Sequence, residues 1–182
     1  MKISKLNPFD VTEITTSPRC DDRGHFMRIF DEGNFASNDL PINWVQENQA
    51  VSKKVGTLRG MHFQKGEYAE TKFIRVVQGA ILDVFIDLRR SSPTFEKWGK
   101  RVLSADDKTM LVIPRGYAHG YLTLEENTCV IYRVDNPYQG DAELGIQWND
   151  PSLNIDWGMN NPILSEKDKN LTTLNNLTYR FS

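Results

Sequence analysis

The sequence is poor in cysteine, has no long apolar run and shows no surplus of either charge. Its two cysteines, Cys20 and Cys129, lack CxxC spacing and have no Cys/His cluster beside them. That argues against structural zinc, and nothing in it requires an oxidising compartment. No stretch reaches the apolar length of a membrane span, and the opening MKISKLNPFDVTEITTSP has no apolar h-region. The cytoplasm is therefore the expected location, and no membrane partner is expected. With 22 Lys and Arg against 24 Asp and Glu, the chain has no global basic excess. Nucleic acid is not an expected partner, because phosphate neutralisation needs a broad positive face. A small anion remains possible, since a few local cations suffice. Low-complexity linkers, internal repeats and long helical periodicity are also missing.

What is there suits one domain spanning residues 1–182, with 39% apolar and 25% charged residues. Many short strand-like segments recur at roughly even spacing, which predicts an all-β sandwich or barrel. After an extended lead-in, Asp21-Asp22-Arg23-Gly24 signals a turn, and His25–Phe30 reads as a strand. Asp31–Asn38 reads as a short helix, Trp44–Gln46 as sheet and Glu47–Lys54 as a polar stretch. Phe73–Val77 runs into Gln78-Gly79 like a hairpin arm reaching its turn. In Ile81–Leu88, Asp83 and Asp87 alternate with apolar residues, which predicts one wetter face. Trp98–Ser104 and Met110–Pro114 follow. Tyr121–Leu124 and Thr128–Val134 read as strands joined through a Glu-Glu-Asn turn. The remainder looks loop-rich, with one helical turn at Ser165–Asn170.

The stretch Gly56–Gly79 carries Arg59, His62 and Lys72 on what reads as sheet. On a regular strand Arg59 and His62 diverge unless a bulge intervenes, and the neighbouring glycines make one plausible. A lone strand histidine is usually a hydrogen-bonded structural residue. His119, in Pro114-Arg115-Gly116-Tyr117-Ala118-His119-Gly120, is a second of only three, again beside turn glycines. The bland explanation must then work twice.

Gly56 followed after five residues by His62, and Pro114-x-Gly116-x-x-His119, resemble the two motifs of the cupin superfamily. Metal-binding cupins carry His-x-His where this chain has His62-Phe63-Gln64, so a metal site is disfavoured. The ordered set LRGMHFQ, KFIRVVQG, DVFIDLRRSSPTF, IPRGYAHGY, Tyr132–Tyr138, GIQWNDP and LSEKD is similar to the dTDP-4-dehydrorhamnose 3,5-epimerase family. That resemblance implies a metal-free and cofactor-free cupin jelly roll, working as a homodimer on a nucleotide-diphosphate 4-keto-6-deoxy sugar. In such a sugar the C3 and C5 protons lie α to the carbonyl. Inversion needs a base on one face, an acid on the other and a positive group at the enolate oxygen.

The resemblance implies His62 as the base, Asp168 as its orienting carboxylate, Lys72 at the enolate oxygen and Tyr132 as the acid. His119 would hydrogen-bond near that oxygen, and Tyr138 would shape the sugar pocket. Arg23, Arg59 and Lys167 are implied for the diphosphate. Gln46, Asn48 and Glu143 match positions that contact nucleotide or substrate. Taken alone, Asp168 would be a solvated tail charge, Lys72 a snorkelling sheet lysine and Tyr132 a core aromatic. Arg28 stands where the family usually carries a glutamate near the nucleotide base. That charge reversal predicts an altered base pocket. Met61 and Tyr121 replace the family's Leu and Phe as mild packing swaps. Two alternatives stay open: inversion at C3 alone, and a sugar- or metal-binding cupin without turnover.

Overall fold

Thirteen short strands and two short α-helices make up the computed structural model, which describes residues 1–182. The strands are β1 (Lys2–Lys5), β2 (Thr12–Thr15), β3 (Arg19–Asp21), β4 (Gly24–Phe26), β5 (Gln46–Ser52), β6 (Leu58–Gln64), β7 (Lys72–Gln78), β8 (Ala80–Asp87), β9 (Trp98–Ser104), β10 (Thr109–Ile113), β11 (Tyr117–Thr123), β12 (Thr128–Val134) and β13 (Glu143–Gly145). The helices are α1 (Glu32–Ala36) and α2 (Glu166–Lys169). One sheet has the order β1-β2-β10-β7-β12-β5 and the other β13-β6-β11-β8-β9, while β3 and β4 form a separate hairpin. Paired strands within both sheets are antiparallel. This is the all-β, cupin-type sandwich that the strand spacing and motifs predict. No helix is long and apolar enough to cross a membrane.

The sheets exchange strands where the sequence suggests hairpins. Gly79 does not close a hairpin, because β7 and β8 lie in different sheets. Its φ of +76° carries the chain across, and a Cβ there would meet Thr128 Oγ1 at 2.5 Å. The Glu-Glu-Asn turn likewise carries β11 of one sheet into β12 of the other. Two extents also differ. The strand expected over His25–Phe30 stops at Phe26, and most of the polar stretch Glu47–Lys54 is strand β5. As an edge strand it satisfies one side of its backbone through β12, turning Glu47 and Gln49 to solvent while Gln46 and Asn48 on the other face are half-buried.

Three apolar clusters hold these layers. Between the sheets, Ile74 and Val130 of one pack on Ile81, Phe85 and Tyr121 of the other. Outside the second sheet, Leu82, Val84 and Ile86 are covered by Leu153, Trp157, Leu174 and Leu177 of the C-terminal segment. The loop-rich tail is therefore the third layer. Outside the first sheet, Phe35 of α1 packs on Ile14, Phe73, Met110 and Val112. Burial of each such side chain stabilises the fold by ~1.5–3 kcal/mol.

Strand β8 consequently has no wet face: all eight of its residues are buried. The alternation in ILDVFIDL arises because both aspartates have partners, not because water reaches them. Asp87 accepts from Arg89 Nε at 2.9 Å, Arg89 Nη2 at 2.7 Å and Thr94 Oγ1 at 2.7 Å. Burial pushes its carboxyl up, but hydrogen bonds from Arg89, Ser92 and Thr94 outweigh that and hold it at about 2. Asp83, on the face turned toward the first sheet, pairs with His119.

Candidate active site

A single extra residue in β6 builds the first half of the site. His119 pairs with His62, and Tyr121 pairs with Arg59, so three steps along β6 oppose two along β11. That bulge turns Arg59 to the side that His62 occupies. Gly60 permits it. Its φ is +124°, and a Cβ there would lie 2.5 Å from Gly120 Cα. Arg59, His62, His119 and Tyr121 thereby line one cavity of about 290 Å³ from the second sheet. Lys72, Ile74, Val130 and Tyr132 line it from the first sheet.

Helix α2 delivers the carboxylate. Ser165 caps it, its Oγ accepting from the Asp168 backbone N–H at 3.1 Å. This sets Asp168, nearly buried, 2.6 Å from His62 Nε2. Burial raises the Asp168 carboxyl, but the His62 hydrogen bond and charge and the Ser165 bond more than offset it, so the net direction is down. An ionised carboxylate only accepts, so His62 Nε2 carries a proton, and in the neutral imidazole Nδ1 is then the lone-pair nitrogen. Nδ1 lies 4.0 Å from Glu143 Oε1. Glu143 is already occupied: its Oε2 accepts from Lys167 Nζ and from Tyr138 Oη, each at 2.6 Å. Burial raises Glu143, and those two bonds with the His62 charge bring it below its ordinary value.

Opposite this assembly stand Lys72 and Tyr132. Both side chains come from adjacent antiparallel strands, β7 and β12. Lys72 is paired with Glu70, which also accepts from Gln64 Nε2 at 2.8 Å. Burial lifts the Tyr132 phenol above its ordinary value, the Glu70 charge adds to this, and Arg59 pulls the other way. The phenol therefore carries its proton at neutral pH. His119 lies at the cavity wall with Nε2 2.7 Å from Asp83 Oδ2. Burial is the dominant influence on Asp83 and leaves its carboxyl raised despite His119. No group of three or more His, Cys, Asp or Glu side chains is placed to hold a metal.

A second recess, of about 160 Å³, shares His62, Lys72 and Tyr132 with the first. Gln46, Asn48, Tyr138 and Glu143 line it, and Gln46 Oε1 accepts from the Tyr138 backbone N–H at 2.5 Å. The two recesses form one cleft. The structure thus brings together His62, Lys72, Tyr132, Asp168, Arg59, His119, Lys167, Gln46, Asn48, Tyr138 and Glu143. It does not bring Arg23 or Arg28 to them. Arg23 sits at the tip of the β3–β4 hairpin, bonded to Asp21, and Arg28 pairs with Asp31 at 3.0 Å. Both are exposed. Sequence reasoning did not place Glu70, Ser165 or Asp83 at the site, and read Gln64 only as the residue standing where a metal ligand is missing. Glu70 and Gln64 were within reach, each lying two residues from a site residue and so on its face of an extended chain.

A family model described as dTDP-4-dehydrorhamnose 3,5-epimerase matches residues 6–176. The dTDP-4-dehydrorhamnose 3,5-epimerase of Escherichia coli K12 is 43% identical over 159 residues, 86% of this chain and 85% of that protein. The chain belongs to the dTDP-4-dehydrorhamnose 3,5-epimerase family. Among solved members of this epimerase family, the Bacillus anthracis enzyme with TDP and PPi bound superposes with a TM-score of 0.92. The two share 42% identity, covering 95% of this chain and 99% of that one. A dTDP-6-deoxy-D-glucose-3,5-epimerase from Legionella pneumophila Philadelphia 1, in complex with dTDP-4-keto-L-rhamnose, gives 0.90 at 31% identity, with 97% and 94% covered. The family's epimerase fold therefore extends over nearly the whole of this chain.

Proposed function

We propose that this protein inverts C3 and C5 of a nucleotide-diphosphate-linked 4-keto-6-deoxyhexose of the dTDP-4-dehydro-6-deoxyglucose type. The observation that carries the reading is the placement of an imidazole and a phenol on opposite sheets, across one cavity, with a lysine beside the phenol. His62 Nδ1 removes the proton α to the ketone, and ionised Asp168 stabilises the imidazolium that results. Lys72 and His119 meet the negative charge that develops on the C4 oxygen. Lys72 leaves Glu70 to do so, or shares it. Tyr132 returns a proton to the opposite face, and the centre is inverted. Arg59 has no carboxylate partner and anchors the diphosphate, joined by Lys167 once the anion competes with Glu143. Gln46, Asn48 and Tyr138 shape the sugar and nucleotide end of the cleft.

The test is incubation with dTDP-4-keto-6-deoxyglucose in D₂O, followed by NMR. Two deuteriums, one at C3 and one at C5, are expected. A single deuterium at C3 would reduce the activity to one centre, and none would remove epimerisation altogether.

The working form is a homodimer. Arg23 and Arg28 are exposed and lie away from the cleft of their own chain, on or beside a hairpin that joins neither main sheet. Phe26 on that hairpin is 66% exposed, and the outer edge of β5 is unpaired. A second copy covers such an edge and brings these arginines toward a cleft. Light scattering on the purified protein should give twice the 20.9 kDa chain mass. A monomer at working concentration would overturn this.

A further inference from the structure

Tyr121 lines the cavity with a polar group that neither the mechanism nor any hydrogen bond of the site uses. It is only 5% exposed, and its hydroxyl is shielded from solvent with no hydrogen-bond partner. An unpartnered buried hydroxyl is destabilising, so a neutral packing role explains it poorly. Its neighbour explains it better. Arg59 is its register partner on β6, and both side chains line the same cavity. Arg59 itself makes only two long bonds, to Ser52 Oγ and the Val51 carbonyl, each at 3.4 Å. On the wall of one cavity the phenol thus has no acceptor from the protein, and the guanidinium has only these two long bonds. Burial pushes the phenol up to about 12, so it stays protonated and able to donate.

We propose that the Tyr121 hydroxyl, together with Arg59, hydrogen-bonds a phosphoryl oxygen of the sugar nucleotide and is a substrate-binding residue of this enzyme. The proposal rests on the nucleotide-sugar reading above. The phenol donates one O–H and takes no part in the proton transfers at C3 and C5.

Tyr121→Phe keeps the ring and removes only the donor. Loss of a hydrogen bond to an anionic oxygen is expected to raise KM by roughly ten- to hundredfold. Because the contact is the same in ground and transition states, kcat should stay within about twofold. Calorimetry with non-reacting dTDP-glucose should show the same loss of affinity. A purely structural phenol predicts otherwise: the variant melts at a higher temperature, with KM and dTDP-glucose affinity unchanged. That result, or a fall in kcat at constant KM, overturns the proposal. Wild-type protein that incorporates no deuterium sinks the parent reading as well. An exchanging wild type beside an unaffected variant sinks only the role of Tyr121.

Discussion

His62→Ala is expected to fold and to lose ~10²–10⁴-fold in turnover, with deuterium incorporation at C3 and C5 lost to the same degree. The cleft offers no substitute base. Asp168 is held below the ordinary carboxylate range and sits behind the imidazole, bonded to the Ser165 cap. Glu143 is nearest, but Lys167 and Tyr138 occupy its Oε2 and keep its carboxyl low. A carboxylate so stabilised is a poor proton acceptor. The fold should survive, because the His62 side chain is 26% exposed and water can reach the vacated Asp168 oxygen. NMR in D₂O and a thermal melt check both halves. Near-wild-type exchange in a folded variant would remove His62 from the chemistry.

Tyr132→Phe has an equally large but different expected effect. The ring and its packing stay, and inversion falls by ~10²–10⁴-fold. Proton removal does not need the phenol. His62 can still take the proton, trade it with solvent through its open side and return deuterium to the same face. Substrate should therefore gain deuterium while keeping its configuration. The measurement is isotope content against stereochemistry in recovered sugar nucleotide. Exchange and inversion lost together would place Tyr132 in the abstraction step. Inverted product at the wild-type rate would exclude it altogether.

The overall architecture was legible because antiparallel sandwiches advertise themselves through many short strands between turn signals. Which strands share a sheet was not legible. Gly79 and the Glu-Glu-Asn segment have ordinary turn chemistry, and turn chemistry does not reveal whether the chain pairs back or crosses over. Asp83 and Asp87 were read as a wet face since a sequence shows charge without showing its partner. His119 supplies one partner from another strand, and Arg89 folds back from two residues on to supply the other. Arg59 beside His62 depended on a bulge, which Gly60 made conceivable and the β6–β11 register shows. Tyr121 looked like one hydroxyl added to a packing residue. Only its lack of any partner gives that oxygen meaning. The helical turn at Ser165–Asn170 was legible, but a single turn does not show which site its capping serine serves.

The exchange of strands between layers has one last consequence. Imidazole and phenol are hung from separate walls, so in the proposed mechanism handedness at the sugar carbons is governed by the sandwich and not by either group. A catalyst with donor and acceptor on the same wall would swap hydrogen isotopes indefinitely and never turn a sugar into its epimer. The gap between the walls, ~10 Å from backbone to backbone in stacked sheets, is thus a caliper set to a single pyranose ring.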